Sequence, residues 1–212
     1  VRGAYTKYAE VQVRSGMTGA EVAKRVLRDA NVRGAAGEIG LECIPGEMTD
    51  HYDPRSKTLR LSEGVYYGRS IAALGVAAHE VGHAIQDAHN YVPMQVRQLI
   101  YPVSALGSTL AMPLIIIGAL LGYMGMYMPW LITAGIWLFT GAVAFTIITL
   151  PVEFNASKRA LAALSQGGYL TEEELGGAKA VLDAAALTYV AAAAAAVLQL
   201  IRLLLIFGNR DR

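Results

Sequence analysis

The stretch Gln98–Val152, QLIYPVSALGSTLAMPLIIIGALLGYMGMYMPWLITAGIWLFTGAVAFTIITLPV, contains no Asp, Glu, Lys or Arg. Before it, charge is dense: 12 basic and 11 acidic residues lie between Val1 and Arg97. A soluble domain does not segregate charge so completely, so the pattern points to a membrane. Two apolar spans, about 102–122 and 129–150, fit inside the gap. Each is near the ~20 residues needed to cross a ~30 Å hydrocarbon core. The connector 123–128, rich in Met, Tyr and Gly and followed by Trp130, reads as a tight turn at one membrane face. The competing reading is a pair of buried helices in a large soluble core.

A third span, about 184–207, carries the run Ala191–Ala196 and one charge, Arg202, which can snorkel toward headgroups. Its small residues allow close helix approach, as do Gly118 and Gly122 at GxxxG spacing. A hairpin of two crossings returns the chain to its starting side. The polar segments 1–100 and 151–183 are therefore expected in one compartment, with 208–212 as a tail on the other. Arg97, Lys158, Arg159 and Lys179 flank the spans on the first side and Arg210 and Arg212 on the second. The positive-inside rule leans toward a cytoplasmic polar domain.

Composition narrows the function classes. Of 212 residues 54% are apolar, and 18 Lys+Arg against 17 Asp+Glu leave a net charge of +1. Disorder is excluded, and no basic field exists to draw in nucleic acid. The single cysteine, Cys43, excludes an intrachain disulfide framework and a cysteine-based zinc cluster.

Within the polar region, Thr18 and Glu21 stand at capping-box spacing and predict a helix over about 19–30, stopped by Asn31 and Gly34. Segments 38–44 and 57–61 are short strand candidates joined by a turn-rich connector. The second could be an edge strand open to an extended peptide, or a covered one. The connector segment Asp50-His51-Tyr52-Asp53-Pro54 reads as a polar turn, with cleft lining or an oxyanion donor at His51 or Tyr52 as the sharper alternative. Tyr66, Tyr67 and Tyr91 read as packing or interfacial residues. Thr171 before Glu172, Glu173 and Glu174 reads as a helix cap.

Residues 70–88 read as one buried helix, and inside it lies His79-Glu80-Val81-Gly82-His83. Residues four apart share a helix face, so both imidazoles can reach one ion. Glu80 can take a proton from the water that such an ion activates. The preceding segment, Ile71-Ala72-Ala73-Leu74-Gly75-Val76-Ala77-Ala78, is small or apolar throughout. Two histidines and a glutamate in that helix would cost several kcal/mol unless something binds them.

Two residues compete as third ligand. His89 completes a metzincin-like spacing, but that signature has Gly where this chain has Gln86, and a continued helix turns His89 away from the pair. Glu153 is the first charge after the membrane hairpin and emerges on the side of the 70–88 helix. It would complete a His2Glu set that leaves one coordination position open. It would otherwise mark the start of a new helix at Pro151, where an acid suits the dipole. Geometry favours Glu153.

Leu41-Glu42, Thr49–Pro54, Ala72–Gln86, Leu150–Ala160 and Ala184–Ala191 together resemble the YugP-type neutral zinc metallopeptidases of bacterial membranes. The resemblance covers nearly the whole chain. It implies a mainly α membrane protein with a small β-sheet: a zincin-like metallopeptidase domain plus at least three transmembrane helices, with a further membrane helix before Val1. It implies one Zn2+ held by His79, His83 and Glu153, Glu80 as general base, and a bacterial cell-membrane location. The expected partners are a protein or peptide substrate and the lipid bilayer. In the similar gluzincin arrangement an acid four residues after the ligand glutamate braces a zinc histidine. Here that position is Ser157, which puts the contact in doubt, and Asn155 is a substitute. The rival from another class is a catalytically silent membrane scaffold with a structural metal site, which would have no use for Glu80. A second rival is a soluble metzincin-like protease using His89.

Overall fold

The computed structural model describes residues 2–34, 37–126 and 128–208. Arg210 and Arg212 of the expected tail lie outside the described residues, as does Tyr127 of the expected connector. The chain is mainly helical: α1 (Arg2–Ala9), α2 (Gly19–Asp29), α3 (Glu63–Tyr66), α4 (Ile71–Ala88), α5 (Val92–Tyr123), α6 (Pro129–Gln166) and α7 (Glu172–Phe207). The strands are β1 (Arg33–Gly34), β2 (Gly37–Glu38), β3 (Gly40–Ile44), β4 (His51–Asp53) and β5 (Thr58–Ser62). It divides into two compact units, residues 1–92 with 152–188, and residues 93–151 with 189–212.

In the first unit, local chemistry sets the helix ends. The Thr18 hydroxyl accepts from Glu21 N–H while Glu21 accepts from Thr18 N–H, a complete capping box. Thr171 and Glu174 repeat the arrangement at the start of α7. Ser70 caps α4 by accepting from Ala73 N–H at 3.2 Å. Asn31 and Asn90 take positive φ just beyond α2 and α4, the left-handed turn in which Asn is tolerated.

The three-stranded sheet has the order β3-β5-β4, with β5 parallel to β3 and antiparallel to β4. This settles one open choice in favour of the covered strand and overturns one expectation. Segment 57–61 is the central strand, because Leu59 and Leu61 are fully buried and both of its sides are paired. Residues 51–53 are a strand and not a polar turn, because the buried Tyr52 ring anchors them.

The core forms around α4, of which nearly every residue is buried. Against it come Val22, Ala23, Val26 and Leu27 of α2, and Leu59 and Leu61 of β5. Val152, Ala156, Ala160 and Leu164, four apart along α6, are buried, as are Ala178, Val181 and Leu182 of α7. Spacing of four keeps such residues on one helix face.

In the second unit, the apolar stretches of α5, α6 and α7 are long and hydrophobic enough to cross a membrane, and their spanning windows are only 22%, 17% and 11% buried. Leu99, Val103, Trp137, Leu198 and Leu205 are largely exposed. Helices of a soluble core would hide such side chains, so lipid is the solvent that fits them. Gly135 lets α5 and α6 approach: a Cβ there would stand 2.7 Å from the Ala111 carbonyl oxygen. Gly118 also faces α6, whereas Gly122 faces open space and most of the 191–196 alanine run is exposed. The proposed small-residue contacts are therefore made only in part. Pro151 does not start a helix either; it lies inside α6, as Pro102 and Pro113 lie inside α5. Proline is tolerated within membrane helices where neighbouring groups satisfy the freed carbonyl.

Candidate metal centre

The His79 and His83 side chains leave one face of α4, and Glu153 reaches them from α6. The Glu153 Oε2 lies 3.2 Å from His79 Nε2 and 3.5 Å from His83 Nε2. One ligand atom from each of the three residues falls within 4.8 Å of the others. Zinc bonds to N and O are about 2.0–2.2 Å, and a tetrahedron of that size has edges of ~3.3 Å. The two separations from Glu153 match such an edge, and the donor set of two imidazoles and a carboxylate is one that zinc takes. These three residues can hold a metal.

The approach of α6 to α4 depends on Gly82. A Cβ at this position would sit 2.4 Å from the Ala156 carbonyl oxygen, a backbone atom with no freedom to yield. Only glycine lets the two backbones come this close, and the closeness delivers Glu153 to the imidazoles of His79, about one turn before Gly82, and His83, next to it. Glu153 itself is 2% exposed.

The outer ring nitrogens are occupied. His79 Nδ1 lies 3.1 Å from the Ser157 hydroxyl, so the position that was in doubt does contact a histidine. His83 Nδ1 lies 3.0 Å from Gln86 Oε1. The Asn155 side-chain oxygen instead accepts from Gln86 Nε2 at 3.0 Å. His89 is the C-cap of α4, with its ring Nδ1 on the Ile85 carbonyl at 2.7 Å, and takes no part in the cluster.

Glu80 is buried beside the pair, and its Oε2 accepts the Tyr52 backbone N–H at 3.1 Å. Burial pushes its carboxyl up to about 6, against the pull of His79; Glu153 and Asp50 push the same way and the Tyr52 N–H opposes them. Strand β4 is held there by its other contacts. The Tyr52 hydroxyl donates to Asp87 at 2.7 Å, and Lys57 pairs with the same carboxylate. Burial and Asp87 hold the Tyr52 phenol protonated far above its usual range. His51 is exposed with its ring Nδ1 on the Thr49 carbonyl at 2.8 Å.

Sequence reasoning missed Gln86, Asp87, Gly82 and the Tyr52 amide. Gln86 and Asp87 carried a usable signal, since polar residues near the end of an apolar helix need partners. The Tyr52 amide carried none, because a backbone group has no sequence signature.

The whole described chain matches one protein family. A family profile described as "Putative neutral zinc metallopeptidase" covers residues 1–208. The chain belongs to this family. It is 46% identical over 209 residues to "Putative membrane protease YugP" of Bacillus subtilis (strain 168), an alignment that spans 99% of this chain and 89% of that protein. No solved structure matches. Family membership agrees with the geometry: the residues that could hold zinc are the ones that converge.

Two outcomes follow. The Gly82→Ala variant is expected to lose about 1–3 kcal/mol of stability and at least tenfold in zinc affinity, because the added methyl pries α6 from α4. Wild-type affinity in that variant, measured by chelator competition, would contradict the account.

The second concerns pH. With its folded value near 6 against an ordinary 4.5, Glu80 favours the zinc-free fold below about pH 4.5 and loses that contribution as pH rises through 6. Glutamine stays neutral and still accepts the Tyr52 N–H. Zinc-free Glu80→Gln protein should therefore exceed wild type by about 2 kcal/mol near pH 8, with the gap closing toward pH 4.5. Thermal melts across pH test this, and a gap that ignores pH would refute it.

Proposed function

We propose that this protein is a zinc-dependent endopeptidase that works at a bacterial membrane. The observation that carries the reading is the meeting of His79, His83 and Glu153 with the buried Glu80 carboxylate next to them. His79, His83 and Glu153 would hold the ion. Zinc bound there supplies Lewis acidity, polarising a peptide carbonyl and making water easier to deprotonate. Glu80 takes a proton from the attacking water as its oxygen bonds the carbonyl carbon. It then passes that proton to the departing amide nitrogen as the C–N bond breaks. A carboxyl raised to about 6 suits both halves of this shuttle, because it is basic at neutral pH and still a competent acid.

Strand β4 supports a peptide substrate. It is an outer strand of its sheet and meets Glu80 through the Tyr52 N–H, which sets the edge of the sheet, the kind of surface that holds an extended chain, beside the proposed base. Location suggests the source of that chain: membrane proteins or their juxtamembrane segments. The basic residues flanking the apolar spans favour a cytoplasmic site. The silent-scaffold alternative is disfavoured by Glu80, whose buried carboxylate lowers stability at neutral pH and does nothing for a structural ion.

The test uses the full chain in detergent or liposomes. Wild type should bind one zinc per chain and cleave a membrane-protein or peptide substrate. Glu153→Ala should lose the metal, and His89→Ala should keep it. Glu80→Gln should keep the metal and lose activity by about 10²–10⁴. Full activity in Glu80→Gln would eliminate the mechanism.

A further inference from the structure

A run of polar contacts links His83 to the outside of the first unit, and every donor and acceptor in it can be assigned. Arg159 has only donors, and its Nε gives a hydrogen bond to Asn155 Oδ1 at 2.7 Å. That contact fixes the Asn155 amide with its oxygen toward Gln86. Gln86 Nε2 then donates to Asn155 Oδ1 at 3.0 Å and to the Val152 carbonyl at 2.8 Å. Turning the Gln86 amide over would set its oxygen against two acceptors, so the orientation is forced. Both N–H groups are spent, and what remains for His83 is the Gln86 Oε1, 3.0 Å from Nδ1. An acceptor there requires a proton on Nδ1.

We propose that Gln86 is a positioning residue that locks His83 in the Nδ1-protonated tautomer, and that Arg159 sets Gln86 through Asn155. The inference rests on the zinc reading above in one respect: with the proton on Nδ1, the Nε2 lone pair faces Glu153 Oε2 at 3.5 Å, an arrangement that a cation between them satisfies. Gln86 is wholly buried, so no solvent competes for its amide. Arg159, the partner of Asn155, is steadied over the Tyr91 ring, 5.9 Å from the centroid. Neutral histidine in water prefers the opposite tautomer, with the proton on Nε2. The arrangement therefore removes a rearrangement that binding would otherwise require. It also explains why α4 carries a glutamine three residues after His83, on the same face.

The experiment is 15N NMR of histidine-labelled, zinc-free full chain near pH 8, above the ordinary histidine range, with zinc affinity measured in parallel. Only four histidines contribute signals. In wild type His83 should carry its proton on Nδ1, where Gln86 Oε1 at 3.0 Å outcompetes Glu153 Oε2 at 3.5 Å from Nε2. Gln86→Met should shift it toward Nε2 and weaken zinc binding about 10–100-fold. Asn155→Asp keeps both acceptor positions and should hold the wild-type tautomer, whereas Asn155→Leu should release it. These two variants decide the matter even if Gln86→Met does not fold. Protonation of wild-type His83 on Nε2 overturns the proposal, as does an Asn155→Leu spectrum identical to wild type. A wild type with the Nδ1 proton but no affinity for zinc sinks the metal reading and leaves the relay standing.

Discussion

The close approach of α6 to α4 at Gly82 and Ala156 is the constraint on which the site depends. Two imidazoles on one helix are a bidentate fragment and nothing more. The carboxylate that completes them is 70 residues further along the chain, beyond the apolar hairpin. It reaches them because a missing Cβ brings the two backbones together. The buried face of α6 at Val152, Ala156 and Ala160 contributes the hydrophobic free energy that holds this contact closed. Polar groups then fill what apolar packing cannot: Ser157 on one histidine, Gln86 on the other, and the Tyr52 amide on Glu80.

This division explains why the first unit is built as it is. The sheet is too small to stabilise much by itself. Its contribution is to hold β4, which Asp87 ties to the end of α4 through Tyr52 and Lys57. A buried carboxylate with a raised pKa is a local loss of stability, and the surrounding core offsets it. That is the pattern expected of a group kept for chemistry.

Much of this was legible in the sequence because the strongest signals are periodic or compositional. A charge-free run of helical length, two histidines four apart, and capping residues at Thr18 and Thr171 each report a local rule that tertiary packing did not override. Other features depend on contacts between distant segments. The central place of β5 follows from pairing with β3 and β4, which alternation alone cannot show. Pro151 read as a helix start because a lone chain gains nothing from proline in a helix interior, whereas packing neighbours tolerate it. Gln86 drew notice only as a departure from a glycine, although its amide proves to be the link between His83 and α6. Ser157 showed the converse: a hydroxyl in place of an expected acid still reaches His79.

The central claim is that one cation is shared by His79, His83 and Glu153. X-ray absorption at the zinc edge of the zinc-loaded full chain tests it most directly. The account predicts two imidazole nitrogens near 2.0–2.1 Å and at least one carboxylate oxygen near 2.0–2.2 Å, with the imidazole count halved in His83→Ala. A shell with one imidazole or three in wild type, or one unchanged when Glu153 is replaced by alanine, would contradict it.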